Sequence, residues 1–291
     1  MGVLAIENAG LLRDKLKRGQ FAATVEIDPP RGADPGPALE RVKRLKGIVD
    51  AVNVADSPMA NLRMAPIAVS HLIQRDLGLE AVFHLTCRDR NLLGLQAELL
   101  GATALGVRNI LCLTGDPPTR GNHPTARGVF DVDVSGLVKM AGNLNLGKDW
   151  NGNDLEGAAD FFIGVVCNPG AADQGLEEAK FRSKVSAGAH FCQTQPVFDP
   201  ETLRRFAERI GDVEVYLLYG VLPLKSYKSA NYLRTRVGMA IPDEIMERMR
   251  TGGPEEGVRI AREAAEAVKS LGHGVHIFPM GDPELAAAVL A

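Results

Sequence analysis

The segment Asn109-Ile110-Leu111-Cys112-Leu113-Thr114-Gly115-Asp116-Pro117-Pro118 is an apolar run that stops on a glycine, an acid and two prolines. It reads as a buried parallel strand that delivers a carboxylate to its C-terminal end, where the prolines keep the chain from continuing as sheet. A second stretch repeats the arrangement: Phe21-Ala-Ala-Thr-Val-Glu26 runs into Ile27-Asp28-Pro29-Pro30. Acids at the ends of two separate strands are how a (β/α)8 barrel assembles a reaction centre. Either acid alone would read equally well as a loop cap.

Working outward, short β-rich runs recur with helical stretches between them. They are Phe21–Ile27, Ala51–Ala55, Ala81–Thr86, Asn109–Thr114, Phe161–Cys167, His190–Gln195, Glu214–Leu222 and Val275–Pro279. Strands alternating with helices in this way predict a single α/β domain, a (β/α)8 TIM barrel over residues 1–291. An open doubly wound sheet is the alternative, but no GxGxxG follows the first strand. Asn91–Leu105 predicts a helix with Leu92, Leu95, Leu99 and Leu100 on one face. Pro254–Leu271 predicts another, with Val258, Ala261, Ala265 and Val268 as its core stripe. Ala9–Gly19 reads as an N-terminal helix closing the bottom of the barrel. The connection from Asp116 to Phe161 is far longer than most βα loops, so it is expected to cover or line the site. Within it, Asp133–Ala141 is expected to be helical and the rest irregular.

Composition narrows the function classes. Hydrophobic residues make up 45% of the chain and charged residues 24%, enough to bury a sizeable core. A formal net charge of −3 supplies no basic stripe and argues against nucleic acid as a partner. No run approaches a membrane span, and the N-terminus lacks a signal-peptide charge pattern, so the cytoplasm is the expected compartment. Cys87, Cys112, Cys167 and Cys192 stand far apart with no CxxC, which excludes a local zinc knuckle or ferredoxin-type cluster on spacing. Most read as buried thiols.

Six motifs in order then carry a resemblance: His84-Leu-Thr-Cys-Arg-Asp-Arg-Asn91, Leu113-Thr-Gly-Asp-Pro-Pro118, Gly128-Val-Phe-Asp-Val-Asp133, Lys184-Val-Ser-Ala-Gly-Ala189, Thr194-Gln-Pro-Val-Phe-Asp199 and Gly220-Val-Leu-Pro223. Over nearly its whole length the chain resembles the methylenetetrahydrofolate reductase family. It is most similar to the reductase half of bacterial fusions with a homocysteine methyltransferase. The clustered zinc-binding cysteines of the methyltransferase half are not in this sequence.

The resemblance implies an FAD-dependent reduction of 5,10-methylenetetrahydrofolate to 5-methyltetrahydrofolate, a step in methionine biosynthesis. The flavin carries the hydride, and the protein supplies position, protons and electrostatics. Glu26 matches the general acid that opens the folate ring at N10, a role that needs a raised pKa. Asp116 matches an acid facing pterin and flavin, where its charge favours the iminium cation. Gln195 matches an amide that bonds the pterin, and Tyr227 an aromatic beneath the benzoate portion. His84, Thr86, Arg88, Asn91, Thr114, Gly115, Asp116 and Lys184 fall at cofactor-contacting positions. Arg88, Arg90 and Asn91 open a helix and are candidates for phosphate or adenosine contact. Lys180, one helical turn before Lys184, shares its face.

Two departures stand out. Where some relatives carry threonine at the end of the second strand, this chain has Ala55-Asp56-Ser57-Pro58, so Asp56 either replaces that folate contact or turns the chain. The loop Asn168-Pro-Gly-Ala-Ala-Asp173 lacks the tyrosine and histidine that some members use around adenosine.

The electron donor implied is NADH or NADPH, or else a partner subunit carrying iron–sulfur clusters. Homo- and hetero-oligomers both stay open, because interface patches and core-facing helix stripes look alike in sequence. Two other readings compete. One is a catalytically silent folate-binding or scaffold subunit, against which the presence of both acids argues. The other is a Schiff-base aldolase, which would need a lysine at a strand's interior end, whereas Lys184 and Lys225 fall in helix or loop.

Overall fold

The computed structural model describes residues 11–291. Ala9 and Gly10, the start of the expected N-terminal helix, and the extreme N-terminus read for a signal peptide lie outside the described residues. Eight parallel strands close into a barrel in sequential order, β1 pairing with both β2 and β8. They are β1 Ala22–Ile27, β2 Ala51–Val54, β3 Glu80–Thr86, β4 Asn109–Leu113, β5 Phe162–Cys167, β6 Phe191–Thr194, β7 Tyr216–Val221 and β8 Gly274–Ile277. All eight expected strands are present, with ends shifted by one or two residues. The shifts trim residues such as Phe21, His190 and Glu214, which flank the ladders.

The helices are α1 Leu11–Lys17, α2 Gly36–Lys43, α3 Pro66–Leu72, α4 Leu92–Ala104, α5 Val134–Asn145, α6 Gln174–Ser186, α7 Pro200–Arg209, α8 Tyr227–Tyr232, α9 Asp243–Ala267 and α10 Pro283–Leu290. α1 precedes the barrel, as expected, and buries Leu12 and Leu16 against Ala22, Ala51, Val82, Leu111, Phe162, Phe191 and Leu218. Those residues come from seven of the strands, so α1 plugs the N-terminal end. The plug is fastened by a buried carboxylate: Glu80 accepts from the Leu12 N–H at 2.6 Å and from Asn109 Nδ2 at 2.8 Å. One layer up, Phe191 crosses the interior over Gly164. A Cβ at that glycine would lie 2.2 Å from the Phe191 ring, so only glycine fits.

Local chemistry explains the helix boundaries. Asn91 caps α4, its Oδ1 accepting from the Gly94 N–H at 2.9 Å, and Asp133 caps α5 through Gly136 N at 2.8 Å. α5 runs past the expected Ala141 to Asn145 because Leu144 continues the buried stripe of Leu137, Val138, Met140 and Ala141. The α4 stripe needs a correction. Leu95 and Leu99 are buried and Leu92 packs on the core, but Leu100 is exposed, since one residue beyond Leu99 rotates it about 100° round the helix. The expected Pro254–Leu271 helix is the second half of α9, which begins at Asp243 and kinks where Gly253 takes a positive φ before Pro254. All four cysteines are free and buried.

Candidate active site

Inward-facing positions alternate along each strand, so residues two apart stack towards the C-terminal mouth. On β1 that column is Ala22, Thr24 and Glu26; on β6 it is Phe191 and Gln193, with Gln195 just beyond. These columns, with the strand-end loops, enclose a cavity of about 420 Å³ whose lining includes Glu26, Asp56, His84, Thr86, Arg88, Thr114, Gly115, Asp116 and Gln195. Nine expected site residues from five strands thus meet in one place. Larger concavities of about 660 and 740 Å³ lie elsewhere, one at the plugged end around Arg13 and His190, the other beside α7. Neither collects acids from the C-terminal ends of several strands, where barrels do their chemistry.

Glu26 is partly buried and has no hydrogen-bond or ion-pair partner among the described residues. Burial first, and the charge of Asp28 second, push its carboxyl up to about 7. Asp116 sits on the opposite side, at the end of β4, more open to water and 3.5 Å from Arg120. Gly115 between strand and acid has φ +86, and a Cβ there would come 2.9 Å from Arg88 Cβ and 3.0 Å from Thr86 Cβ. The glycine is therefore required both by its backbone and by its neighbours.

Arg88 is buried and ties the rim together. Its guanidinium pairs with Asp89 at 2.6 Å and donates to the carbonyls of Ser57, Asp56 and Asp116 at 3.3, 3.4 and 3.5 Å. Its own carbonyl accepts from Val129 N at 2.7 Å, which anchors the long loop after β4. Asp56 lies on the cavity wall, but its Oδ2 already accepts from Thr86 N (3.0 Å), Thr86 Oγ1 (2.9 Å) and Arg90 Nη1 (2.9 Å).

Five expected residues, Arg90, Asn91, Lys180, Lys184 and Tyr227, stand outside this cavity. Lys184 lines a neighbouring cleft of about 620 Å³ together with Lys180, and that cleft shares Thr114, Val166 and Gln195 with the first. Lys184 Nζ donates to the Val166 carbonyl at 2.7 Å. Asn91 is occupied as the α4 cap. Tyr227 begins α8, exposed, with the Arg250 guanidinium 5.8 Å from its ring centroid.

Sequence reasoning passed over the cavity floor. Thr24, Asn53, His84, Gln193 and His276 are buried and joined in one hydrogen-bonded chain across the barrel interior. Only His84 was expected. The available signal was a polar residue at alternate positions inside apolar strands: Asn53 in Ala-Val-Asn-Val, Gln193 in Phe-Cys-Gln-Thr, His276 in Gly-Val-His-Ile. Burial holds both imidazoles neutral, lowering each to about 3.

Fold and cavity together define a (β/α)8-barrel protein with an acid-walled pocket at the C-terminal mouth. Residues 11–291 match the methylenetetrahydrofolate reductase family. The chain is 26% identical to the 5,10-methylenetetrahydrofolate reductase of Pectobacterium carotovorum subsp. carotovorum, covering 78% of this chain and 72% of that one. It is 27% identical to the enzyme of the same description from Escherichia coli, with 77% and 72% covered. Among solved structures, a Clostridium thermocellum protein that binds two copies of 5-methyl-5,6,7,8-tetrahydrofolic acid shares the fold at a TM-score of 0.64 and 15% identity, over 96% of this chain and 97% of that one. The chain belongs to the methylenetetrahydrofolate reductase family. It is an oxidoreductase of one-carbon folate metabolism that reduces methylenetetrahydrofolate. No helix among the described residues is long and apolar enough to cross a membrane.

Proposed function

We propose that this chain, as one barrel domain over residues 1–291, reduces 5,10-methylenetetrahydrofolate to 5-methyltetrahydrofolate with FAD. Electrons come from NADH or NADPH, or from an iron–sulfur partner subunit. The observation that carries this reading is Glu26: an unpartnered carboxyl held up to about 7, in the same cavity as a second, more exposed acid, Asp116. A carboxyl of that kind is still protonated near neutrality and has no partner to break before it gives its proton away. Glu26 protonates N10 of the bound folate, which opens the five-membered ring to an iminium. Asp116, on the β4 side, offers negative charge to that cation. The amide of Gln195, exposed in the mouth, bonds the pterin. Asp56 shapes the folate wall through Thr86 and Arg90.

The residues present fit a flavin. Thr114 and Gly115 line the cavity with the buried, neutral His84, and the cavity continues into the cleft where Lys180 and Lys184 stand. His84, Thr86, Arg88, Thr114, Gly115 and Asp116 would border the ring system, and Lys184 the phosphates, with Asn91 at the edge as a helix cap. When bound, the flavin supplies hydride transfer. Tyr227, exposed at the start of α8, is the candidate for the benzoate tail. The aldolase reading gains nothing, because Lys184 stands on α6 and Lys225 in the loop after β7, and both donate to main-chain carbonyls, Lys184 to Val166 O at 2.7 Å and Lys225 to Met280 O at 2.8 Å.

The test is to load the protein with FAD, photoreduce it anaerobically and add methylenetetrahydrofolate. Return of the oxidised flavin band at a useful rate is the expected result. A flavin that binds but stays reduced, or no flavin binding at all, overturns the assignment.

A further inference from the structure

The buried chain beneath the cavity has a direction, and the direction fixes where two protons sit. Asn53 Nδ2 has two hydrogens and two acceptors, Gln193 Oε1 at 2.7 Å and His84 Nε2 at 3.0 Å. An amide nitrogen only donates, so His84 Nε2 accepts and its proton is on Nδ1. Gln193 Nε2 spends its own two hydrogens on Asn53 Oδ1 and Thr24 Oγ1, both at 3.1 Å. Thr24, having accepted, gives its hydroxyl proton to His276 Nδ1 at 2.9 Å, a better acceptor than the Val275 carbonyl at 3.5 Å. His276 Nδ1 is therefore a lone pair and the ring proton is on Nε2. His276 lines the cavity, and its Nε2 has no partner among the described residues.

We propose that His276 donates a hydrogen bond from Nε2 to the heterocycle of the bound folate, and that Thr24, Gln193 and Asn53 are positioning residues that hold it in the donating tautomer. This rests on the function proposed above. His276 is registered against Thr24 on β1, the strand that ends in Glu26, so its donor lies on the side of the cavity where the folate is protonated. A pterin offers a ring carbonyl oxygen to such a donor. A neutral N–H serves better there than a cation, because it fixes the ring without opposing the iminium charge that develops beside it. The histidine cannot be rotated cheaply, since Thr24 and the Phe278 ring, set edge-on 4.6 Å away, define its plane.

Nitrogen-15 NMR of histidine-labelled protein tests the tautomers without any turnover. With six histidines in the chain, substitution of His71 and His123 simplifies the spectrum. The expected pattern has His84 protonated on Nδ1 and His276 on Nε2, unchanged from pH 8 to pH 5. Rotating both amides would reverse every bond, so the opposite pattern overturns the proposal. Thr24→Val, nearly isosteric, should mix the His276 tautomers and raise KM for methylenetetrahydrofolate roughly five- to thirtyfold, the loss of one well-aimed hydrogen bond. Kd for FAD should stay fixed, and Thr24→Ser should restore both readouts. An unchanged KM in Thr24→Val, or a rise in the FAD Kd instead, overturns the assignment of the donor to folate. Failure of the wild-type protein to turn over folate would be a separate result, overturning the proposed function while leaving the tautomers readable.

Discussion

Asp56 and Thr86 are locked together at the rim: one carboxylate oxygen of Asp56 accepts both the main-chain N–H and the hydroxyl of Thr86, at 3.0 and 2.9 Å. Arg90 reaches the same oxygen at 2.9 Å, which closes a bridge from the end of β2 to the end of β3. Three donors on one buried oxygen mean that the group is already spent on structure.

Asp56→Asn is accordingly expected to cost about 1–3 kcal/mol of unfolding free energy, because Arg90 loses the nearer of its two acidic partners and keeps only Glu98 at 3.6 Å. Urea denaturation reads the loss. A variant of unchanged stability with a raised folate KM would instead make Asp56 a direct substrate contact.

Glu26 sets the pH dependence. Its carboxyl titrates at about 7 in the folded protein against 4.5 in the unfolded chain, so between those values the folded state holds a proton that the unfolded state has released. The stability it lends is complete below pH 4.5 and drains away as pH rises to 7. The whole effect is about 1–3 kcal/mol, allowing for water at the cavity mouth. Glu26→Gln should remove this slope, which thermal unfolding between pH 5 and pH 8 can show.

The same variant should bind FAD and accept electrons but reduce folate at least about a hundredfold more slowly, the usual scale of a lost general acid. In the unsubstituted protein the folate half-reaction should fall tenfold per pH unit above about 7. Stopped-flow measurement of the two half-reactions separates them.

Asp116→Asn should slow reoxidation of the flavin by folate more than its reduction by the electron donor. The charge helps only where a cation forms. Equal slowing of both halves would remove the iminium role.

Gly115→Ala places a side chain at φ +86 and within 2.9 Å of Arg88 Cβ. A destabilisation of about 2–4 kcal/mol is expected from backbone strain and the clash together. Flavin affinity should drop as well, since Thr86 and Arg88, which line the same wall, would have to shift. Titration of apoprotein with FAD measures it.

The barrel was readable in the sequence because buried parallel strands are short apolar runs with abrupt ends, and the acids at Glu26 and Asp116 stood just where those runs stop. The floor of the cavity was hidden for the same reason. Asn53 and His276 each interrupt an apolar run by a single polar residue and Gln193 opens a polar strand end, and such an interruption does not say which residues on other strands will meet it. Gln193 meets Asn53 from 140 positions away. The outer positions divide. Leu100 was legible from the helical period, which sets it about 100° away from Leu99, but whether Tyr227 reaches the mouth depends on packing that no local pattern records.

The bond between Thr24 and His276 spans 252 positions of sequence. It forms only when β8 docks beside β1, the last closure of the sheet. A ribosome therefore releases Glu26 and Asp116 long before the floor beneath them exists. Without β8 in place the sheet would keep two free edges, the state in which strands find wrong partners. The floor under both acids is completed only by the strand that carries no acid at all.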